Sequence, residues 1–288
     1  MMAARPQGGA VRVDAHQHFW KYDERQYPWI QESWPIRKSF LPADLKPLLD
    51  RENFDFCVAV QARQTFEETI WLLDLAREFP FVAGVVGWIN LRADSIKAVP
   101  YQLERIERDK LVGVRHVVQD EPNDQFMLRP DFLCGIGSLK EYDLAYDILI
   151  FPKQLPAAIQ LVRKFPEQRF VLDHIAKPMI RVGKVEPWKS QIVELAKLPN
   201  VFCKLSGMVT EANWGKWKPS EFKPYLDVVW EAFGEDRLMI GSDWPVCLLS
   251  GEYSAVTGIV QDYLKPFPEK TRDKVLGGNA VNFYKLKV

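Results

Sequence analysis

Eight short apolar runs recur along the chain with helix-compatible stretches between them, and this rhythm restricts the fold more than any other feature. The runs cover residues 11–15, 56–61, 82–87, 112–118, 146–150, 169–173, 201–205 and 238–241. Successive runs start roughly 23 to 45 residues apart, too far for hairpins and well suited to repeating β-loop-α units. Between them, residues 65–79 set Ile70, Leu73, Leu75 and Ala76 against Glu67, Glu68, Asp74, Arg77 and Glu78, the spacing of an amphipathic helix. Similar patterns span 155–165, 190–198, 220–233 and 253–264, and several end at a stop signal such as Phe79-Pro80, Phe165-Pro166, Leu198-Pro199 or Phe233-Gly234. Eight such units predict an α/β chain closed into a (β/α)8 barrel. An open dinucleotide-binding sheet would need a glycine-rich first turn, whereas the first run leads into Asp14-Ala15-His16-Gln17-His18, and Gly277-Gly278 is too short to cradle phosphates.

Length agrees with one domain over residues 1–288, because a chain of that size buries a large core without disulfide or metal staples. With 47% apolar and 26% charged residues the chain is neither disordered nor collagen-like. Lys plus Arg and Asp plus Glu both number 38, so no basic surplus points to nucleic acid as a partner. Cys57, Cys134, Cys203 and Cys247 form no close pair, and Cys57 and Cys203 sit in apolar runs as buried thiols would. No stretch is apolar enough for a signal peptide or membrane span, so a cytoplasmic protein is expected, with no membrane partner. Residues 21–46 are long for a βα connection and rich in aromatics, and are expected to fold over one mouth of the barrel.

The four histidines are all near strand ends. In a barrel the C-terminal strand ends converge on one mouth, where active sites are built. His16 and His18 flank Gln17, and alternation along a strand turns both imidazoles to one side, where they can share an ion or a substrate. His174 follows a run ending in Asp173, and Asp243 ends the eighth run before Trp244-Pro245. A carboxylate there can ligate metal or take a proton from water. Arg115 and His116 are adjacent, so only one faces the lumen while the strand continues; arginine suits a polar oxygen and His116 an acid or orienting role. Asp173 is a candidate for orienting a histidine. Tyr27, Trp29, Gln61, Trp88, Lys177 and Trp244 are candidates for contacting a small polyhydroxylated ligand, with Asn90, Lys204 and Ser206 also near strand ends. The stretch Trp214-Gly-Lys-Trp217 reads as a rim loop.

These motifs resemble one family. Val13-Asp-Ala-His16-Gln-His18-Phe-Trp20 with Tyr27-Pro-Trp29-Ile30 is similar to the opening of the amidohydrolase-related proteins of the L-rhamnono/L-fucono-lactonase group. The likeness continues through Gly113-Val-Arg115-His116, Leu172-Asp-His174-Ile-Ala-Lys177-Pro178, Lys204-Leu-Ser206-Gly207, Gly241-Ser-Asp243-Trp244-Pro245 and Gly278-Asn279-Ala-Val-Asn-Phe-Tyr284. It implies a TIM barrel of the metal-dependent-hydrolase type that opens aldonic-acid sugar lactones in carbohydrate metabolism. It also implies one divalent metal, zinc, held by His16, His18, His174 and Asp243; with Arg115 and His116 from the fourth strand end, Asp243 and His174 make the expected catalytic set. Relatives that open pyrone or dicarboxylate lactones without metal make metal-free catalysis the alternative. Ile150-Phe151-Pro152 stands where many metal-dependent relatives have a fifth-strand histidine, and no bridging lysine is there, which argues against two metals. The expected partner is a small sugar lactone, with a homodimer as an open option. The rival activities are a decarboxylase or other carbon–carbon lyase and a noncatalytic sugar-acid binding protein.

Overall fold

Parallel strands in the order β1-β2-β3-β4-β5-β6-β7-β8 form one sheet in the computed structural model, which describes residues 9–92 and 98–288. Residues 1–8, counted with the domain in the sequence reading, lie outside the described residues. The strands are β1 Val13–Gln17, β2 Phe56–Val60, β3 Val82–Gly87, β4 Leu111–His116, β5 Ala145–Ile148, β6 Phe170–Leu172, β7 Val201–Leu205 and β8 Leu238–Ile240. The eighth returns to the first: Gln17 bridges Trp244, the His18 amide donates to the Trp244 carbonyl at 2.6 Å, and the Asp243 amide donates to the His16 carbonyl at 2.8 Å. The chain is therefore a (β/α)8 TIM barrel.

The principal helices of the units are α1 Pro42–Glu52, α2 Phe66–Glu78, α3 Ala98–Leu103, α4 Pro130–Leu139, α5 Leu155–Lys164, α6 Trp188–Ala196, α7 Lys223–Phe233 and α8 Tyr253–Leu264, followed by α9 Glu269–Asp273 and α10 Asn279–Tyr284. In α2, Thr65 caps the N-terminus through its hydroxyl, and Leu72, Leu73, Leu75 and Ala76 form the buried face. Helix α7 begins at Lys223 and not at residue 220, because Pro219–Glu221 makes a separate turn and Pro224 suits a first helical turn. Strands β6 and β8 stop after three residues. Asp173 enters a tight turn, and Asp243 has φ +58, so these charged ends leave the ladder and turn into the mouth.

Alternation along each strand divides the core. In β2, Cys57 and Ala59 face the helices, while Val58 and Val60 face the barrel interior with Val13, Ala15, Ala83, Val86, Val112 and Met239. Phe283 and Tyr284 of α10, with Leu286, pack against this interior set where several strands begin. The long connection after β1 is pinned at its base by reciprocal backbone bonds between Trp20 and Phe40 and by the Trp20 indole donating to the Lys38 carbonyl. Its Arg25, Gln26, Pro28, Trp29 and Trp34 line the mouth, as expected of a segment folded over it.

One glycine is forced by close approach. A Cβ on Gly277 would lie 2.0 Å from the Val11 carbonyl oxygen, so Gly277→Ala must push the C-terminal segment off the backbone that leads into β1. Overpacking of this kind typically costs about 1–3 kcal/mol. Urea unfolding of Gly277→Ala should give a lowered midpoint, and an unchanged midpoint would contradict the packing described.

Candidate active site

Strand β1 carries a register shift between Asp14 and Gln17, and this irregularity sorts its polar side chains. Asp14 turns to Ser242 and to Tyr253 of α8, and Gln17 turns to Cys57. His16 and His18 share the site, their ring centroids 5.0 Å apart. Each imidazole is tied through Nδ1: His18 to the Val60 carbonyl at 2.7 Å, His174 to the Ser206 hydroxyl at 2.9 Å, and His16 to Asp173 at 3.3 Å. The Nε2 atoms of His18, His174 and His16 then lie 3.2, 3.8 and 3.9 Å from Asp243 Oδ1. Ring orientation fixed through Nδ1, with Nε2 turned to a common point, is the arrangement that metal-binding histidines require. The ligand atoms of His16, His18 and Asp243 all lie within 4.8 Å of one another, as do those of His16, Asp173 and His174. Neutral nitrogen and carboxylate donors at this spacing fit a divalent ion.

Protonation follows from burial and charge. Burial pushes His16 and His174 well below the usual imidazole range, more than the neighbouring aspartates Asp173 and Asp243 offset. For Asp243 burial acts upward, but His174 and His18 outweigh it and hold the carboxyl below its ordinary value. Neutral imidazoles beside an ionised carboxylate are the states in which such groups ligate.

Below this cluster lies a buried quartet of charges. Lys204 reaches Asp147 at 2.5 Å, Asp173 at 3.0 Å and His16 Nδ1 at 3.1 Å. Arg115 reaches Asp173 at 3.0 Å, His16 Nε2 at 3.2 Å and the Gln61 carbonyl at 2.5 Å. Tyr284 closes the set from α10, donating to Asp147 at 2.7 Å. Burial raises Asp173, but Lys204 and His16 outweigh it and keep that carboxyl well down, whereas burial leaves Asp147 at about 6.

His174 also depends on an unusual backbone. His174, Ile175, Ala176 and Lys177 have φ of 54, 48, 58 and 49° in succession. Left-handed geometry costs roughly 1–2 kcal/mol for each such residue, so the surroundings must hold it. The buried Trp188 indole does so by donating to the Ile175 carbonyl at 2.7 Å, and the Lys177 amide bonds the His174 carbonyl at 2.8 Å. Gly207, at φ +59, leaves room for the imidazole: a Cβ there would lie 2.4 Å from His174 Nδ1.

The site opens into a cavity of about 760 Å³ lined by His18, Arg115, His174 and Asp243 at its floor and by Trp29 and Lys177 among the other sequence candidates. His16 is fully buried beneath. Several candidates are not brought to this cavity. His116 points to the far face of β4, between Glu121 at 2.7 Å and a stacked Phe126, while Arg115 faces the lumen. Trp88 donates to His116 Nδ1 from the same side. Tyr27 is buried and donates to Glu68, Gln61 packs behind Arg115, and Trp244 is enclosed by Phe19 and Phe40. Alternation, or aromatic packing, turns each of these away.

Other residues escaped the sequence reading. Asp147 interrupts the fifth apolar run and could have been noticed as a charge in a strand; Glu211 and Arg63, on the cavity wall, carry no such signal. Glu68 is fully buried in α2, accepts from the Ala62 and Arg63 amides at 2.9 and 2.8 Å, and takes the Tyr27 hydroxyl at 3.0 Å. It thereby ties the segment over the mouth to the loop after β2.

A barrel with histidines, an eighth-strand aspartate and a buried lysine at its mouth defines a hydrolase of the metal-dependent type, and the chain belongs to the amidohydrolase family, whose model matches residues 13–286. It is 38% identical to an L-fucono-1,5-lactonase of Burkholderia multivorans over 96% of this chain and 97% of that protein. It is 39% identical to an L-fucono-1,5-lactonase of Burkholderia ambifaria, covering 96% of each. The crystal structure of a Burkholderia multivorans amidohydrolase with bound zinc superposes with a TM-score of 0.90 at 37% identity, over 96% of this chain and all of that one.

Burial pushes the Glu68 carboxyl up to about 7 from an ordinary 4.5, against the opposing pull of its hydrogen bonds. Between those values the folded protein keeps a proton that the unfolded chain releases, so this contribution is complete below about pH 4.5 and lost as pH rises through 7. The loss is on the order of 3 kcal/mol. Urea unfolding at pH 5 and pH 7.5 should show Glu68→Gln losing less stability over that interval than the parent protein. Equal losses would rule out a proton held at Glu68.

Proposed function

We propose that this protein hydrolyses an aldonic-acid sugar lactone, of the L-fucono- or L-rhamnono- type, to the open sugar acid. The observation that carries this reading is the convergence of three histidine Nε2 atoms on Asp243 at the floor of a cavity, in a chain closely related to L-fucono-1,5-lactonases. His16, His18 and Asp243, with His174 beside them, would hold the divalent ion, and zinc fits their mixed nitrogen and oxygen donors. Bound there, zinc supplies Lewis-acid polarisation of a carbonyl or a water.

The chain's own groups account for the remaining work. Asp243 takes the proton of the attacking water as the new bond forms at the lactone carbonyl. His174, clamped by Ser206 and Gly207, keeps its Nε2 3.8 Å from that carboxylate. Arg115 places positive charge at the cavity floor, where it favours the carbonyl oxygen as negative charge develops on it. Asp243 then gives that proton to the ring oxygen as the carbon–oxygen bond breaks, giving the hydroxy acid and leaving the carboxylate as it began. Lys177 and Trp29 line the wall and are placed to contact the sugar hydroxyls and the sugar's apolar face. A concave cavity with mixed polar and apolar lining supports a small-molecule substrate over nucleic acid. The four free cysteines support a reducing, cytoplasmic location. Among the described residues no helix is long and apolar enough to cross a membrane.

The test is proton release from a panel of 1,4- and 1,5-aldonolactones, run on metal-stripped and on zinc-restored protein. Turnover that returns with zinc, and an open acid as sole product with no carbon dioxide, is the expected result. Turnover indifferent to zinc would transfer the work to Arg115 and the histidines, and silence in both states would overturn the lactonase reading. Asp243→Asn should keep the fold by circular dichroism and lose at least roughly 10²-fold in turnover, the scale of removing a preorganised electrostatic group; a near-normal rate would remove Asp243 from this role.

A further inference from the structure

The cavity exceeds what its floor needs. Clefts of about 300–1,000 Å³ enclose drug-sized ligands, and a single-ring aldonolactone, with about a dozen non-hydrogen atoms, is roughly half that size. This cavity measures about 760 Å³, and besides the four polar groups at its floor it is lined by residues of two separate connections. One is the segment after β1, which carries Trp29 and Trp34; the other follows β7 and carries Trp214.

The rim has the chemistry of a sugar-binding surface. Trp34 and Trp214 meet edge to face across the mouth, with centroids 5.6 Å apart and planes at 69°. The Trp214 indole N–H is already donated to the Thr210 carbonyl at 2.9 Å, so the ring offers the ligand its apolar surface and holds a fixed orientation. Trp29 and Trp214 stay 38% and 39% exposed on the cavity wall, so both keep ring surface accessible to a ligand. Aromatic faces attract the electropositive C–H face of a sugar ring, and planar amides and guanidinium groups bond its hydroxyls. Gln26 and Arg63 supply such groups on the same wall, hydrogen-bonded to each other and therefore held in place.

We propose that the Trp34–Trp214 rim is a second subsite, holding a further sugar ring attached to the lactone opened at the floor, so that two-ring aldonolactones bind better than one-ring lactones. The proposal rests on the lactonase reading above and specifies its substrate class. It assigns Trp34 and Trp214 to binding of the distal ring, with no part in the ring-opening step.

Competition assays on the zinc-loaded protein test it. The reporter is turnover of the best single-ring lactone found in the panel, inhibited either by aldonic acids or by the corresponding acids that carry a glycosyl ring on O4, such as gluconate and cellobionate. The two-ring acids should inhibit at least about tenfold more tightly. Trp214→Ala and Trp34→Ala should abolish that difference while single-ring turnover stays within about twofold. Equal inhibition constants in the parent protein would overturn the subsite, as would a difference that survives both substitutions, or variants that keep native circular dichroism but lose single-ring turnover. Absence of turnover on every lactone would instead overturn the lactonase reading, so the two failures are distinguishable.

Discussion

The seam between β1 and β8 is the contact on which the site depends. Asp14 is fully buried there and accepts the Ser242 amide at 2.8 Å, the Ser242 hydroxyl at 2.6 Å and the Tyr253 hydroxyl at 3.0 Å. Burial raises its carboxyl to about 6 even though Ser242 stabilises the charged form. This carboxylate holds the residue immediately before Asp243, whose own amide donates to the His16 carbonyl. Residues more than two hundred positions apart are thus set side by side by backbone bonds, and His16, His18 and Asp243 inherit their spacing from the closure of the barrel.

Much of the site is expensive to fold. Burying Lys204, Arg115, Asp147 and Asp173 together carries a desolvation penalty that their mutual attraction offsets only with good geometry, and apolar residues of similar volume would often be as stable. Four successive left-handed residues add backbone strain. Both costs fall on groups that orient His16 and His174. The rest of the barrel compensates through an extensive buried apolar core, including α10 against the interior and the helices against the outer strand faces. Stability resides in the repeating part of the structure, and the chemistry sits where the repeat is broken.

The repeat was legible because apolar periodicity is local. Strands β3 and β7 and helix α8 coincide with the sequence reading, and the other strands with α2, α5, α6 and α7 differ by a few residues at their ends, whereas α1, α3, α4, α9 and α10 were not read from the sequence. The common orientation of His16 and His18 also follows from alternation, although the register shift beside them sends Asp14 elsewhere. Arg115 and His116 illustrate the reach of the same rule: alternation says that they part, but which one faces the lumen depends on the packing of Phe126 and Glu121 against β4. Trp88 and Trp244 were legible as aromatics near strand ends and Tyr27 as one in the segment over the mouth, yet an aromatic ring serves a core as well as a ligand, and the partners that decide between these uses are distant in sequence.

By itself, the sequence determined the barrel, the mouth at which its polar strand ends gather, and the residue types available there. Periodicity and the chemistry of His, Asp and Arg are properties of short segments and survive without a fold. Tertiary structure alone decided that His18 and His174 are tied through Nδ1 and turn Nε2 to Asp243, and that Lys204, Asp147 and Tyr284 support His16 from below. Those outcomes rest on distances between segments that the chain places far apart and that only closure of the β1–β8 seam brings within a few ångströms.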